Sequence, residues 1–380
     1  MKSTITCDME GVIKTMNEGA EKIFGYKKEE LIGIKRVSLF SPGEIVLQNV
    51  EGWLNTAVKK GEYIGETYFI KKNGEKFNAK IRITPVFSNG KDQPQTGYCG
   101  VTEVIEKEVH VPIKFSTKMI KGLAITRMPF TSASLLPVFV VGAYFLGEGE
   151  VAVSWSIFGL TALGILLAHL GINVFNDYFD VKDGTDEANA EYFQQVSGGS
   201  RAIELGLITL NGTRKLGIIL ILLAMAIGGV ILTQVHPANT SNVIQFALAG
   251  LFLGFFYTAR PLRLVARRGL GEIAIFLAFG PLLTMGAGLA MIQGDVNNLD
   301  FGTHIINLML LGVPLGFLTT NILLINEFPD MKSDATTGKN HLVVTFGKKA
   351  SRWIYLLFLL LAVGSSYYAY FWMQKISLLI

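Results

Sequence analysis

Seven apolar runs fill the last two thirds of the chain, and each is close to the length that crosses a lipid bilayer. A helix needs about 20 mostly apolar residues to span the hydrocarbon core. We predict spans at 125–146, 151–176, 216–235, 243–257, 273–292, 305–325 and 353–372. The first 113 of the 380 residues carry 31 of the 64 charged side chains. This distribution excludes a wholly water-soluble protein and predicts a soluble unit followed by a membrane unit.

Cysteine usage and the N-terminus limit what the soluble unit can be. Cys7 and Cys99 are the only cysteines in the sequence. Two cysteines cannot build a disulfide framework or a four-cysteine zinc site, so we expect both to be small buried core residues. The chain does not begin with a basic stretch, an apolar core and a small-residue cleavage site. We therefore expect the N-terminus to stay in the cytoplasm.

The first hundred residues have the pattern of a small α+β domain. Alternating segments predict an early strand and further strands at 67–70, 77–83 and 97–102. The pairs Asn73-Gly74 and Asn89-Gly90 are typical turn formers. Segments 17–24 and 28–32 predict short helices between the first strand and the others. A strand and helices followed by an antiparallel meander indicate an α+β fold.

This order of motifs resembles a PAS domain. The matching pieces are Asp8-x-Glu10-Gly11, Asn17 to Tyr26, Glu29 to Gly33, and Lys71 to Glu75. The resemblance implies a curved five-stranded sheet with helices around a pocket, used for sensing or for dimerisation. The Asn-Cys-Arg segment of flavin-photoadduct PAS domains is missing, and His110 is the only histidine before the membrane unit, so neither flavin nor haem is expected. We favour a ligand-free dimerisation or docking module and leave a small-molecule sensor open.

Cations mark one side of the predicted membrane unit. Connections rich in Lys and Arg alternate with the connections 147–150, 234–242 and 293–304, which contain neither residue type. By the positive-inside rule, the cation-rich side is predicted to be cytoplasmic. The PAS-like domain and the polar motifs at the ends of two spans lie on this same side. A site and a regulator would therefore share one compartment.

Two spans end in Asn- and Asp-rich motifs 150 residues apart. On a continuing helix, the first motif places oxygen-bearing side chains at i, i+4 and i+7, and the second places them at i, i+4 and i+8. These residues are Asn176, Asp180 and Asp183 in the first motif, and Asn326, Asp330 and Asp334 in the second. One such motif alone is more typical of solvated helix ends. Two matched motifs repel each other unless a cation lies between them, and hard oxygen ligands favour Mg²⁺ with substrate phosphates.

At this point the membrane unit resembles the UbiA-type intramembrane prenyltransferases. Supporting pieces are Gly198-Gly199-Ser200-Arg201, Tyr257-x-x-Arg260-Pro261-x-Arg263, Gly269-x-x-Glu272 and Thr337-Gly338-Lys339. The resemblance implies that Mg²⁺ and an allylic diphosphate are held between the two motifs. It assigns the metal to Asn176, Asp180, Asp183, Asp186, Asn326, Asp330 and Asp334. Asp183 and Asp186 are alternatives for the third acid of the first motif, because Gly184 occupies the i+8 position and is expected to end the helix.

The same resemblance suggests roles for other residues near the motifs. Asp180, Asp330 and Asp334 become the catalytic acids. Arg201, Arg263, Lys339 and Tyr257 become diphosphate-binding residues, with the rings of Tyr257 and Tyr178 as candidates to face an allylic cation. Asn340-His341 stands where the family commonly has Arg-Thr. We expect His341 to be a surface residue rather than an acid or base.

The implied function is Mg²⁺-dependent transfer of a polyprenyl group from an allylic polyprenyl diphosphate to an aromatic acceptor. The run Asn176 to Asp180 with the later Gly-Gly-Ser-Arg most resembles the polyprenyltransferases of menaquinone biosynthesis that use 1,4-dihydroxy-2-naphthoate. A 4-hydroxybenzoate or glycerol-lipid acceptor stays open. A PAS-linked seven-span receptor, channel or transporter is the alternative from another class, but it gives no reason for two Asn/Asp motifs.

The expected organisation is a PAS-like domain at 1–108, a basic linker at 109–124 and an all-α multi-span transmembrane bundle at 125–380. UbiA-type proteins generally have nine spans, so we expect the last two helices to be missing from this chain. The expected location is the cytoplasmic (inner) membrane, as a multi-pass protein. Expected partners are the polyprenyl diphosphate, the acceptor and the bilayer, with a PAS-mediated homodimer or an unknown PAS ligand left open and no nucleic acid.

Overall fold

The computed structural model describes residues 1–88, 90, 92–149, 151–184, 200, 202–203 and 205–377, and the side chains of 299, 300 and 375–377 are not described. The chain forms two compact units. The first comprises Met1–Ile125 with 201–209, and the second comprises Thr126–Ser200 with Leu210–Ile380.

The first unit contains one antiparallel sheet of five strands. The strands are β1 (Lys2–Asp8), β2 (Ile13–Met16), β3 (Tyr63–Ile70), β4 (Lys76–Val86) and β5 (Gly97–Val104). Their order is β2-β1-β5-β4-β3, so the first and last strands pair at the centre of the sheet. Burial alternates along β1, which is the pattern of a sheet with one face on a core. The predicted turn at Asn73-Gly74 joins β3 to β4, with Gly74 at a positive φ of 85°.

Short helices cover the core face of this sheet. They are α1 (Glu18–Phe24), α2 (Lys28–Leu31), α3 (Gly43–Ile45) and α4 (Glu51–Lys60), with a 3-10 turn at Val37–Phe40 and a π-helical turn at Val46–Val50. Helix α1 begins where the Asn17 side chain accepts a hydrogen bond from the Ala20 N–H, and it ends at Gly25. The interior is aromatic: the Phe24 ring stacks on Phe40 at 4.0 Å and contacts Phe69 and Phe77 edge-on. This α+β fold confirms the predicted fold class of the N-terminal domain.

The remaining parts of the first unit are helix α5 (Phe115–Thr126) and the segment 202–209. Lys121 of α5 pairs with Glu44, and Gln48 accepts hydrogen bonds from the Lys114 N–H and the Thr117 hydroxyl. The expectation that both cysteines are buried holds for only one of them. Cys7 is buried, whereas Cys99, on the neighbouring strand, is half-exposed.

The second unit is helical. Among the described residues, seven helical segments are long and apolar enough to cross a membrane, in agreement with the predicted number. Its helices are α6 (Ser132–Glu148), α7 (Trp155–Lys182), α8 (Leu210–Leu232), α9 (Thr240–Thr258), α10 (Leu270–Phe279), α11 (Pro281–Met291), α12 (Leu299–Thr336) and α13 (Leu342–Ser377). The fifth candidate span contains both α10 and α11.

Three helices differ from the hydropathy prediction. Helices α7 and α12 continue past the last apolar residues, so the whole second motif and Asn176 and Asp180 of the first motif lie on helix. Helix α13 begins at Leu342, 11 residues before the predicted span, and it is kinked at Gly347, whose φ of 77° and ψ of 161° are not helical. The fifth span is broken at Gly280, because Pro281 disfavours helical geometry in the residue before it. Hydropathy alone does not detect these features, since helices extend beyond the membrane and breaks depend on backbone geometry.

Candidate active site

One large cavity, of about 620 Å³, lies within the second unit. Most of its wall is apolar and comes from α7, α8, α9, α10 and α11. The polar side chains that line it are Arg127, Ser134, Thr161, His169, Asn173, Asn176, Asp180, Tyr257, Thr258, Thr319, Asn326, Glu327, Asp330, Asp334, Lys339 and His341. Both Asn/Asp motifs therefore contribute to the wall of the same cavity.

The first motif lies on the last turns of α7. Asn176 and Asp180 line the cavity, and the Asn176 amide oxygen accepts a hydrogen bond of 2.7 Å from the Thr258 hydroxyl. Asp183 follows the last helical residue, and its carboxylate pairs with Arg260 at 3.2 Å and Arg263 at 3.1 Å instead of lining the cavity. Gly184 has a positive φ of 76°, which ends the helix there as expected.

The second motif lies on the last turns of α12. Asn326, Asp330 and Asp334 all line the cavity, at the i, i+4 and i+8 positions that the sequence predicts. Asp334 is 4% exposed. Its backbone carbonyl accepts a hydrogen bond of 2.9 Å from the Lys339 N–H, which places the following loop against the motif.

Two cations join the two motifs. Lys339 Nζ lies 3.5 Å from Asp180 Oδ2, while the Lys339 backbone bonds to Asp334. Arg263 Nε lies 3.1 Å from Asp183 Oδ2, and Arg263 Nη1 donates to the carbonyl of Thr337 at 3.3 Å. Arg263 Nη2 is buried and has no hydrogen-bonding partner among the described residues. Arg263 and Lys339, two of the residues assigned to diphosphate binding, thus contact both motifs or the segments next to them, and Arg263 retains a donor for an anionic ligand.

The other predicted site residues divide into three groups. Tyr257 lines the cavity, and its buried hydroxyl has no hydrogen-bonding partner among the described residues. Tyr178 is not one of the lining residues, and Lys182 Nζ lies 6.0 Å from its ring centre. Asp186 and Arg201 lie outside the described residues, so their predicted roles stay predictions.

The expectation that His341 is a surface residue is wrong. His341 is 1% exposed, with Nε2 3.1 Å from Asp334 Oδ2 and Nδ1 3.1 Å from Glu327 Oε2. Burial disfavours the charged imidazole, but the two carboxylates outweigh that effect and raise the pKa of His341 to about 9. The position of His341 two residues after Lys339, in a polar segment that follows the second motif, gives no hint of burial. Only the return of the chain into α13 encloses it.

Three further acidic residues near the site have structural partners that the spacing does not reveal. Asp177 pairs with Arg127 and accepts a hydrogen bond from the Ser200 hydroxyl. Glu272 accepts a hydrogen bond of 2.7 Å from the Leu342 N–H at the start of α13. Glu327 contacts His341. For Asp177, helix geometry gives one sequence signal. Its side chain points about a quarter-turn away from the face that carries Asn176 and Asp180, so a partner other than a cavity ligand is expected for it.

The donors at the convergence of the motifs fit a divalent cation that binds together with phosphate. Among the described residues, no three carboxylate, imidazole or thiolate side chains are grouped closely enough to hold a metal by themselves. Mg²⁺ is commonly bound by only one or two carboxylates, with substrate phosphates and water as its other ligands. The carboxylates and amides of both motifs are hard oxygen donors of this type. Arg263 and Lys339 lie beside them, as a polyanionic substrate requires.

Comparisons with known proteins agree with this arrangement. Residues 134–380 match the family model "UbiA prenyltransferase family", and residues 2–103 match the model "PAS domain". The chain is 28% identical over 230 residues to the UbiA prenyltransferase domain-containing protein 1 homolog of Drosophila melanogaster, covering 60% of this chain and 58% of that protein. It is 26% identical over 300 residues to the chloroplastic 2-carboxy-1,4-naphthoquinone phytyltransferase of Arabidopsis thaliana, covering 76% and 70%.

A bacterial relative gives a similar result. The chain is 30% identical over 185 residues to the 1,4-dihydroxy-2-naphthoate octaprenyltransferase of Escherichia coli (strain K12), covering 47% of this chain and 54% of that protein. The chain thus spans between 54% and 70% of the length of these three relatives. The family model covers well over half of the chain. The chain belongs to the UbiA prenyltransferase family and carries an N-terminal PAS domain.

Proposed function

We propose that this protein catalyses the Mg²⁺-dependent transfer of a polyprenyl group from an allylic polyprenyl diphosphate to an aromatic acceptor. The observation that carries the proposal is the convergence of both Asn/Asp motifs and Lys339 on one largely apolar cavity, with Arg263 paired to Asp183 at the end of the first motif. Cations and oxygen donors suit a diphosphate, and an apolar cavity suits a polyprenyl chain.

The proposed metal ligands come from both motifs. They are Asn176, Asp180, Asp183 or Asp186, Asn326, Asp330 and Asp334. Bound there, Mg²⁺ would neutralise charge on the diphosphate leaving group. Without a diphosphate, Lys339 neutralises Asp180 and Arg263 neutralises Asp183. We expect both cations to turn from these carboxylates to phosphate oxygens when the substrate arrives.

The protein side chains assist the breaking of the allylic carbon–oxygen bond, whose electron pair leaves with the diphosphate. Arg263 donates hydrogen bonds to the departing oxygens through its unpartnered Nη2, and Lys339 acts as a point charge. The ring of Tyr257 lines the cavity and faces the allylic cation. The apolar walls exclude water, so the cation is attacked by the acceptor ring rather than hydrolysed.

The acceptor we propose is 1,4-dihydroxy-2-naphthoate, in menaquinone biosynthesis. Support comes from the names of several relatives, which include three 1,4-dihydroxy-2-naphthoate octaprenyltransferases at 26–30% identity. Attack by the ring carbon that carries the carboxylate would form the new carbon–carbon bond and release that carboxylate as carbon dioxide. The alternative acceptors are 4-hydroxybenzoate and glycerol lipids.

The proposed setting is the cytoplasmic membrane, with the PAS domain and both Asn/Asp motifs on the cytoplasmic side. Support comes from the cation-rich connections that alternate with connections lacking Lys and Arg. The proposed boundaries are those of the sequence: a PAS domain to residue 108, a linker to 124 and the transmembrane domain from 125. The PAS domain is proposed to act as a docking or dimerisation module.

The decisive experiment is prenyl transfer by membranes that contain the full chain. We expect labelled polyprenyl diphosphate, Mg²⁺ and 1,4-dihydroxy-2-naphthoate to give a labelled quinone precursor. Asp180→Ala or Asp330→Ala should lower turnover by about 100-fold or more, since each removes a carboxylate that would bind the Mg²⁺ required to hold the diphosphate. Asp92→Ala, in an exposed turn of the PAS domain, is the matched control.

The outcomes separate the levels of the proposal. Absence of product with every aromatic and lipid acceptor would refute the enzyme function. Product only with 4-hydroxybenzoate or a glycerol lipid would refute the naphthoate assignment and keep the reaction class. Full turnover in both Asp variants would refute the site.

A further inference from the structure

A polar stripe on α7 extends from the first Asn/Asp motif into the apolar part of the cavity. His169, Asn173, Asn176 and Asp180 are spaced by four, three and four residues, so they share one helix face. All four line the cavity. At the usual helical rise, His169 lies about 16 Å along the helix axis from Asp180. The stripe therefore continues well beyond the residues that diphosphate binding uses.

The surroundings of His169 are mostly apolar. The side chain is 8% exposed, and its ring meets the Phe279 ring edge-on at 5.2 Å. Among the described residues, no carboxylate pairs with it. A buried polar group in such a place is costly unless it is hydrogen-bonded, and an unpaired buried charge is far more costly. A neutral imidazole is therefore the form that suits this wall.

The hydrogen bonds of Ser134 fix which nitrogen carries the proton. The buried Ser134 hydroxyl lies 3.0 Å from the carbonyl oxygen of Thr131 and 2.8 Å from His169 Nδ1. Both contacts are hydrogen bonds at the same time only when the single hydroxyl proton goes to Thr131, because a carbonyl can only accept. Ser134 must then accept from Nδ1–H. In a neutral ring, Nε2 is left as a hydrogen-bond acceptor.

Nε2 has no hydrogen-bonding partner among the described residues. It is also absent from the described side-chain atoms that are both fully buried and without a partner, so this nitrogen is accessible. Since the residue lines the cavity, this atom is open to a cavity ligand. The prenyl chain offers no hydrogen-bond donor, and the diphosphate offers mainly acceptors. A phenolic hydroxyl is the donor in the proposed reaction.

We propose that His169, held in one tautomer by Ser134, binds the aromatic acceptor by accepting a hydrogen bond at Nε2 from a ring hydroxyl. His169 is then an acceptor-binding residue, and Ser134 is a positioning residue that acts through it. The inference rests on the proposed function and names the part of the cavity that recognises the acceptor.

The test is steady-state kinetics with the full chain, varying each substrate separately. His169→Phe keeps an aromatic ring but removes Nε2, so the KM for 1,4-dihydroxy-2-naphthoate should rise by about 10-fold, as expected for a lost buried hydrogen bond. The KM for the polyprenyl diphosphate should stay unchanged. His169→Gln, whose amide oxygen can accept a hydrogen bond, should recover part of the loss.

Two further arms identify the atoms. Acceptor analogues that lack either the 1-hydroxyl or the 4-hydroxyl should show which hydroxyl His169 binds. For the analogue that lacks the bound hydroxyl, the acceptor KM should be the same in wild type and in His169→Phe. Ser134→Ala should raise the acceptor KM by a smaller factor, since the ring can then adopt the other tautomer. Ser132→Ala, on the same helix with an exposed hydroxyl bonded to the Pro129 carbonyl, is the matched control.

The results distinguish this inference from the proposed function. Wild-type protein that prenylates no aromatic acceptor refutes the proposed function. Active wild-type protein whose acceptor KM is unchanged in His169→Phe, or raised equally for both analogues and the parent acceptor, overturns the role of His169 alone. If His169→Phe does not fold, Ser134→Ala and His169→Gln decide: an unchanged acceptor KM in both overturns the inference.

Discussion

At the scale of single residues, the site holds its charges in pairs that link different helices. His341 lies in the connection between α12 and α13, against Asp334 and Glu327 of α12. Glu272 of α10 bonds to the first residue of α13. The acids around the second motif therefore also hold the start of the last helix, and their partners are structural as well as functional.

The raised pKa of His341 gives a prediction for stability. Its folded-state value of about 9 lies above the ordinary 6.5, so the charged imidazole stabilises the fold fully below pH 6.5. That stabilisation is lost as the pH rises through about 9. We expect His341→Gln to lower the free energy of unfolding by on the order of 3 kcal/mol at neutral pH, because it leaves buried carboxylates unpaired.

Thermal unfolding in detergent, followed at several pH values, measures this effect. The difference between wild type and His341→Gln should shrink above pH 9. The exposed His110→Gln is the control and should change little. A difference that grows with pH would contradict the assignment of a charged His341.

At the scale of helices, the broken fifth span packs very closely on α12. A Cβ placed on Gly280, at the break, would lie 2.6 Å from the carbonyl oxygen of Gly312 and 2.8 Å from the Cα of Gly316. A Cβ on Gly316 would lie 2.6 Å from the carbonyl oxygen of Phe276. Glycines four residues apart allow such close backbone contact between helices in membranes. This contact positions the helix that carries the second motif.

Gly316→Ala should therefore force α10 and α12 apart. We expect a loss of about 1–3 kcal/mol in stability, typical of overpacking, and lower turnover because the second motif shifts. The matched control is Gly159→Ala in α7, where a Cβ would meet nothing within 4 Å and alanine favours the helix. Unfolding temperature and prenyl transfer measure the two effects. Equal stability of the two variants would contradict the packing argument.

The sequence predicts the positions of the membrane spans and of the second motif, but not the ends of the helices or the contacts between them. Apolar run length located all seven spans, and the i, i+4, i+8 spacing placed Asn326, Asp330 and Asp334 on one face. Hydropathy ends with the apolar residues, so it missed the polar last turns of α12 and the first turns of α13. Burial of His341 and the tautomer of His169 depend on contacts with other helices. Such contacts leave no periodic signal.

At the scale of the whole chain, the sequence passes between the two units three times, after residues 125, 200 and 209. The segment 202–209 belongs to the first unit, together with the PAS domain. Ala202 and Leu207 are 2% and 3% exposed. Ala202 directly follows Arg201, which the sequence assigns to the diphosphate site. The residue next to a predicted diphosphate-binding residue is therefore buried, in a segment that groups with the PAS domain.

The segment 202–209 packs closely against Gly43, at the start of α3. A Cβ on Gly43 would lie 2.4 Å from the carbonyl oxygen of Leu205 and 2.6 Å from a methyl carbon of Leu207. Gly43→Ala should displace this segment and lower kcat for prenyl transfer. Gly52→Ala, where a Cβ would meet nothing within 4 Å, is the matched control on the same domain and should leave kcat unchanged.

Removal of residues 1–108 tests the same coupling more completely. Because the segment then loses its contacts with Gly43, we expect kcat to fall in the same direction as in Gly43→Ala. The deletion removes residue 43, so the two changes cannot be combined. They are compared as separate variants in the same kind of membranes. Equal kcat in wild type, Gly43→Ala and the truncated chain would show that the contact between the PAS domain and the segment 202–209 does not affect prenyl transfer. A loss confined to the truncated chain would assign the coupling to the linker, since only the deletion disturbs the contacts of Gln48 and Glu44 with α5.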